Sequence, residues 1–228
     1  MNLTLIEKRH ETPDVVSFLF TPEDGFTWRA GQFLVLIVPH ENPDAHGTEH
    51  YFTIASAPYE GVVQITTRLT GSTFKNTLDA LPIGSTIEAK DIDGDFVLDN
   101  PIGEYVFIAG GIGITPIHSI LKQLDHETKP IHATLLYGNR SEDVVFRDEL
   151  EDIAARNPEL TIHYIVLPNQ INETTIRQFV PDPTSQTFYI SGPEPMVEAL
   201  EKMCAEKLGL TEAQMVRDYF PGYDQNNF

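Results

Sequence analysis

Cysteine is almost missing from this chain: Cys204 is the only one. That excludes an internal disulfide and any cysteine-ligated iron–sulfur cluster held within the chain. Cys204 itself lies in an amphipathic, helix-like stretch and reads as a small packed residue rather than a nucleophile. Basic residues are scarce too. Fifteen Lys and Arg stand against thirty-four Asp and Glu, a formal net charge of −19 over 228 residues. Nucleic-acid binding rests on neutralising phosphates with Lys and Arg, so this balance argues against it. No apolar run approaches the length a bilayer-spanning helix needs, and the first residues lack the basic start and apolar middle of a signal peptide. The expectation is a soluble, cytoplasmic protein. No metal-ligand spacing, internal repeat or low-complexity segment stands out.

What is present is enough apolar and aromatic residue for a sizeable core, arranged in two different grammars. Over the first hundred residues, short runs rich in β-branched and aromatic residues alternate with Pro and Gly turns: 3–6, 15–20, 33–38, 50–54, 62–67 and 85–90. That pattern predicts a closed antiparallel barrel. One helix interrupts it at about 72–81, with Ser72 as a natural N-cap. From about Asn100 strands and helices alternate, as in a parallel doubly wound sheet. The predicted strands are 105–109, 133–137, 161–166 and 187–190. Helices are predicted at 117–124, 148–156, 174–179 and 194–207. The fold class is therefore a β-barrel plus α/β, divided at the turn-rich linker 98–103 into domains 1–100 and 101–228.

The most informative stretch is Ala109-Gly110-Gly111-Ile112-Gly113-Ile114-Thr115-Pro116, which follows the apolar run 105–108. Strand, glycine turn and helix together bring backbone N–H groups and a helix N-terminus to a pyrophosphate. Thr115 is expected to cap the helix and Pro116 to occupy its first turn. Taken alone, the stretch is equally consistent with a tight packing turn. A second turn, Ser191-Gly192-Pro193-Glu194-Pro195-Met196, follows another buried strand. Both turns belong at the carboxyl edge of a parallel sheet, where such sheets bind ligands. A third strand ends in Gly138-Asn139-Arg140-Ser141, which puts Arg140 near a phosphate or ribose at the same edge, or leaves it as an exposed loop charge.

These motifs, in this order, resemble the ferredoxin–NADP reductase superfamily of flavin reductases over nearly the whole chain. Ala30-Gly31-Gln32-Phe33 looks like the family's Pro-Gly-Gln-Phe turn. His50-Tyr51-Phe52-Thr53 looks like its Arg-x-Tyr-Ser/Thr flavin motif. Gly71-Ser72-Thr73 begins a segment like the one whose helix start faces the flavin phosphates. Gly110 to Pro116 is similar to the Gly-Gly-x-Gly-x-Thr-Pro nucleotide loop, and Ser191 to Met196 to the Cys-Gly-Pro-x-x-Met loop beside the nicotinamide. The segment 215–220 looks like the family's last strand.

The resemblance implies hydride transfer between a nicotinamide and a flavin, with the protein positioning and tuning the cofactors. It implies FAD bound by His50, Tyr51, Phe52, Thr53, Arg68, Gly71, Ser72, Thr73 and Phe220. The nucleotide falls to Gly110, Gly111, Gly113, Thr115, Pro116, Gly138, Arg140, Gly192, Pro193 and Met196. In this reading Phe52 forms an apolar wall for the flavin, Thr53 places a hydroxyl near its reacting nitrogen, and Ser191 and Asp218 sit beside the reacting rings. Phe220 covers the flavin, while Tyr223 or Phe228 gates the nicotinamide or belongs to a flexible tail.

Three departures qualify the resemblance. His50 stands where the family has an arginine, so the flavin diphosphate must draw charge from Arg68, Lys75 and the helix start at Ser72. Tightly held FAD, FMN and a diffusible flavin all stay open. Ser191 replaces a cysteine. No iron–sulfur domain is found, so electrons must pass to a separate acceptor, with a protein docking on the acidic surface as one candidate. The expected activity is that of an NAD(P)H-dependent flavoprotein oxidoreductase. The alternatives are a flavin reductase, a flavin-lacking regulatory module and a purely partner-binding electron-transfer subunit. NADH is favoured slightly over NADPH, because Glu142 and Asp143 follow Arg140 and Ser141 and would repel a 2′-phosphate.

Overall fold

The computed structural model describes residues 1–43 and 47–220, the side chain of Phe220 excepted. The first half is a six-stranded antiparallel sheet built from β1 (Asn2–Thr12), β2 (Val15–Pro22), β3 (Phe33–Ile37), β4 (Glu49–Thr53), β5 (Val63–Arg68) and β6 (Thr86–Asp93). Their order in space is β4-β3-β6-β1-β2-β5. The sheet curls around a core of alternate inward residues, among them Leu3, Leu5, Phe18, Phe20, Leu34, Leu36 and Ile65. Helix α1 (Thr73–Ala80) is part of that core through Phe74 and Leu78. The expected closed barrel is not formed. Strands β4 and β5 are the free edges, and they meet only just past β4, through the Ile54–Ile65 bridge and an Ala55 N–H to Gln64 carbonyl bond of 2.8 Å. Pro58 turns the chain away into a 3-10 turn at Pro58–Glu60, so the ladder cannot extend.

The second half is a parallel sheet of β7 (Glu104–Gly110), β8 (His132–Asn139), β9 (Leu160–Val166), β10 (Thr187–Pro193) and β11 (Met215–Phe220), in the order β11-β10-β7-β8-β9. Helices lie on both faces, and the alternation of side chains shows it. Tyr105, Phe107 and Ala109 of β7 pack into one core with α2 (Ile114–His126) and α3 (Arg147–Arg156). Val106 and Ile108 pack into the other, with residues of α4 (Glu173–Phe179) and α5 (Glu194–Met203). The single helix expected over 194–207 changes character at Cys204, where a π-helical turn runs to Leu208 and ends on Gly209 at φ 75°. Cys204 is buried in this second core, as a packed residue should be.

The two halves share a buried interface. Ala55 and Phe96 of the first half belong to the core around α2. Tyr189 of β10 donates to the Val97 carbonyl at 2.9 Å and meets Phe96 edge-on at 5.1 Å. Among the described residues no helix is long and apolar enough to cross a membrane.

Gly31 is the tightest point of this interface. Its φ is 95°, and a Cβ there would lie 1.9 Å from the Phe96 carbonyl oxygen. Gly31→Ala combines a left-handed backbone with a clash against main chain, so neither relief by rotamer nor small drift is open. We expect a loss of about 2–4 kcal/mol in urea unfolding. Stability within about 0.5 kcal/mol of the parent would show that the turn can relax.

Candidate functional site at the carboxyl edge of the parallel sheet

The turn after β7 is a 3-10 turn, Gly111–Gly113, that winds directly into α2. Gly111 takes φ 51°, while Gly110 and Gly113 are there for closeness. A Cβ on Gly113 would sit 2.4 Å from the Ser191 carbonyl oxygen, and one on Gly110 would meet the Met196 sulfur at 2.5 Å. Gly192 approaches Met196 and the Gly110 backbone in the same way. Met196 therefore fills the space between the two glycine turns. Both readings of the glycine stretch hold at once: it packs tightly, and it leaves a strand-to-helix turn at the sheet's carboxyl edge. Thr115 is not the cap expected from sequence. Helix α2 already begins at Ile114, Gly113 is its N-cap, and the Thr115 hydroxyl donates back to the Ile112 carbonyl at 3.1 Å. Pro116 falls in the same first turn, where its missing N–H costs nothing. From below, the buried Tyr137 of β8 holds the turn by donating its hydroxyl to the Gly111 carbonyl at 3.0 Å.

On the sheet of the first half, strand parity separates the expected flavin residues. His50 and Phe52 share one side of β4. Phe52 is only 7% exposed and stacks with Phe74 at 5.8 Å inside the core; the His50 ring lies 4.0 Å from the same Phe74. The structure thus corrects the expected role of Phe52 as an open apolar wall, because its ring is spent on the core. The exposed aromatic of the strand is Tyr51, 65% accessible and edge-on to Phe33 at 5.6 Å. Thr53 is buried at the end of β4, opposite Phe33.

Helix α1 starts as the sequence implies, with the Ser72 hydroxyl accepting the Lys75 N–H at 3.3 Å. Lys75 is buried, and its ammonium is held down to about 8, by desolvation first and then by the charge of Arg68. Arg68 pairs with Asp14, while its buried Nε has no acceptor among the described residues. Two neighbouring cations beside the start of a helix form an environment that favours an anion.

A cleft of about 270 Å³ opens between the halves, lined by Gly31, Phe33, Asp93, Gly94, Asp95, Phe96, Arg217 and Asp218. Asp218 of β11 accepts a hydrogen bond from the Ser191 hydroxyl at 3.3 Å. Burial pushes its carboxyl up to about 6, against the opposing pull of that bond. Phe220 pairs with Pro193 through the backbone register, but its side chain, like Tyr223 and Phe228, lies outside the described residues. Gly138 closes β8 against Gly110, and Arg140 is exposed just beyond it. Arg147 lies 3.3 Å from Glu142 and 3.7 Å from Glu151, with its guanidinium over the Tyr164 ring at 4.3 Å.

The sequence reading missed Asp93, Asp95, Phe96 and Arg217 as lining residues. Nothing local in the sequence marks the segment after β6 as facing a second sheet. Tyr137 was missed because its partner is a main-chain carbonyl 26 residues away. Its aromatic ring at the end of a strand, next to Gly138, was the only available signal.

The raised carboxyl of Asp218 gives a signed expectation. A folded-state pKa lifted from 3.8 to about 6 means that stability is fullest below pH 3.8 and is lost as pH rises through about 6. Asp218→Asn should remove that loss. Chemical denaturation should find the variant about 1–2 kcal/mol more stable than the parent at pH 7.5 and indistinguishable from it near pH 3.5. Parallel stability curves for the two proteins across that range would contradict the assignment.

Comparison with known proteins agrees with this architecture. A family model described as the oxidoreductase NAD-binding domain matches residues 107–202, which hold both glycine turns. The ferredoxin reductase component of a 3-ketosteroid-9-alpha-monooxygenase from Mycobacterium tuberculosis is 29% identical over 216 residues, covering 87% of this chain and 60% of that protein. The chain therefore spans about three-fifths of the length of the curated relatives it matches. Among solved structures, the cytochrome b5 reductase domain of Ulva prolifera nitrate reductase superposes with a TM-score of 0.78 at 25% identity, covering 95% of this chain and 96% of that one. The FAD/NAD-binding domain of nitric oxide dioxygenase from Vibrio cholerae gives 0.83 at 20% identity, covering 96% and 98%. With the two sheets and the paired glycine turns, the chain shares the fold of these neighbours, and its residues 107–202 match the oxidoreductase NAD-binding domain.

Proposed function

We propose that the protein is an NAD(P)H-dependent flavoprotein oxidoreductase that passes electrons to a separate acceptor. The observation that carries this reading is the close packing of both glycine turns at the carboxyl edge of the parallel sheet, with Ser191 bonded to Asp218, which lines a cleft whose other wall is the first sheet. Residues 1–100 would be the flavin-binding unit and 101–228 the nucleotide-binding unit. The names of the relatives, a ferredoxin reductase component and a glycine betaine monooxygenase reductase subunit among them, support the same reading.

FAD, when bound, would accept a hydride from the nicotinamide and release electrons onward. For its phosphates the fit is electrostatic: the helix start at Ser72 and Thr73, the Arg68–Lys75 pair of cations and His50 lie together, and Gly71 precedes them with φ 80°. Tyr51 would supply the aromatic surface in place of Phe52. Thr53 and Ser191 would offer hydroxyls to the reacting rings. Asp218, protonated below about pH 6, would hold a proton on its carboxyl next to the Ser191 hydroxyl. Gly110, Gly111 and Gly113, with Gly192 and Pro193, would admit the nucleotide's backbone-bound half, Met196 shifting to make room.

The nucleotide would be NADH. A 2′-phosphate needs cations that are free to turn towards it. Here Arg147 is engaged by Glu142 and Glu151, and Glu142 and Asp143 stand exposed beyond Arg140. Purified protein should be yellow, release FAD on denaturation and bleach with NADH under anaerobic conditions. The value of kcat/KM for NADH should exceed that for NADPH about tenfold, or 1.4 kcal/mol. Protein that takes up neither FAD nor FMN on reconstitution would defeat the reading, and an NADPH preference would reverse the nucleotide assignment.

A second reading, flavin as a diffusible substrate, is favoured by one observation. His50 packs on Phe74 where an arginine would bring a permanent charge and a bidentate fork. His50→Arg should tighten flavin retention about tenfold, measured as the dissociation constant by fluorescence quenching. An unchanged constant would remove His50 from the phosphate site.

A further inference from the structure

We propose that His118 is a positioning residue that sets the flavin strand against the nucleotide turn and the adenosine-side loop. This rests on the oxidoreductase reading above and deepens it. His118 is fully buried on α2, one turn after the helix emerges from Gly111–Gly113. Its Nδ1 donates to the Ala55 carbonyl at 2.8 Å, two residues beyond Thr53. Its ring stacks on Phe146 at 3.9 Å, with the planes 17° apart. Its Nε2 lies 3.4 Å from Glu149 Oε2. Phe146 and Glu149 follow directly on the 140–143 loop, and Phe146 takes a left-handed φ of 61° to enter α3. One imidazole, carried on the helix that leaves the nucleotide turn, therefore touches both the segment after β4 and the start of α3.

The surroundings fix the ring further. Lys122, one turn along α2, donates to Glu149 at 2.9 Å and to Glu60 of the 3-10 turn at 2.7 Å. Glu149 is held down to about 2, by the contact with His118 first and then by Lys122. The neighbouring Ser119 hydroxyl donates to the Ser56 carbonyl at 2.6 Å. That same carbonyl accepts the indole N–H of Trp28 at 3.3 Å. Trp28 is the only tryptophan in the chain, so it reports on this pivot without any cofactor present.

A misplacement of about 1 Å between reacting groups can cost on the order of a hundredfold in rate. The test compares His118→Leu, which loses the donor to Ala55, with His118→Asn, whose side-chain amide can replace Nδ1. Stopped-flow bleaching of the flavin by NADH should slow at least tenfold in His118→Leu, with the KM for NADH within twofold of the parent. His118→Asn should recover most of the rate. In flavin-free protein, acrylamide should quench Trp28 more readily in His118→Leu than in the parent or in His118→Asn. A parent-like rate and quenching in His118→Leu, or equal losses in the Leu and Asn variants, would overturn the proposal. Should His118→Leu fail to fold, Ser119→Ala replaces it, with the same direction expected in both readouts. If the parent itself neither binds flavin nor reacts with NADH, the oxidoreductase reading fails. The Trp28 comparison still decides whether His118 sets the pivot.

Discussion

Two backbones at the carboxyl edge of the parallel sheet approach more closely than side chains would allow, and the arrangement of the site follows from that approach. A methyl group on Gly113 would collide with the Ser191 carbonyl, and one on Gly192 with the Met196 methyl at 2.5 Å. The turn after β7 and the turn after β10 are thereby locked together. Strand β10 is paired in parallel with β7 on one side and β11 on the other, so the lock also fixes Asp218 opposite Ser191. The hydroxyl–carboxylate contact, between residues 27 apart in sequence, is a consequence of that main-chain packing.

Charge placement follows a second constraint. In a chain of net charge −19, an anionic cofactor must find cations that carboxylates have not already claimed. Arg156 is bound by Asp125, Arg177 by Glu173, Lys90 by Glu49 and Arg217 by Glu201. Exposed pairs of this kind contribute at most about 1 kcal/mol each, so their importance is in removing cations from the pool rather than in stability. Arg68 is paired too, with Asp14, but it stands beside the buried Lys75. Desolvation first, and then the charge of Arg68, lower the affinity of Lys75 for its proton at the start of α1. The same constraint in the second half engages Arg147 with Glu142, and this is what tips the nucleotide reading towards NADH.

Much of this was legible in the sequence, and for definable reasons. Elements whose signals are local came through: the Ser72 cap, the apolar run of β7, and the change from antiparallel to parallel grammar near Asn100. Signals that depend on distant partners did not. Strand periodicity says that Phe52 and Tyr51 point to opposite sides of β4, but not which side is core. Only the neighbouring Phe74 and Leu34 decide that, and they assign Phe52 inward. Barrel closure failed as an expectation because pairing at a sheet's edge depends on where the chain turns away, here at Pro58. Thr115 failed as a cap because the glycine turn coils into the helix two residues earlier than an N-cap at Thr115 requires.

The apposition of the two sheets is itself compulsory rather than incidental. After β4 and after β6 the chain leaves the ladder, so the carbonyls of residues 55, 56 and 97 have lost their strand partners while remaining at a buried interface. Buried main-chain acceptors must be satisfied, and here each takes a donor across the interface: His118 for Ala55, Ser119 for Ser56 and Tyr189 for Val97. Leaving any one of them unpaired in a dry interface would cost about 1–3 kcal/mol, a large share of a domain's net stability. Segments that would be weak as strands thus become the hinges that hold the halves together. The cleft between them is shaped by backbone hydrogen bonding before any ligand enters it, so the walls on which two stacked rings would have to meet are already in place.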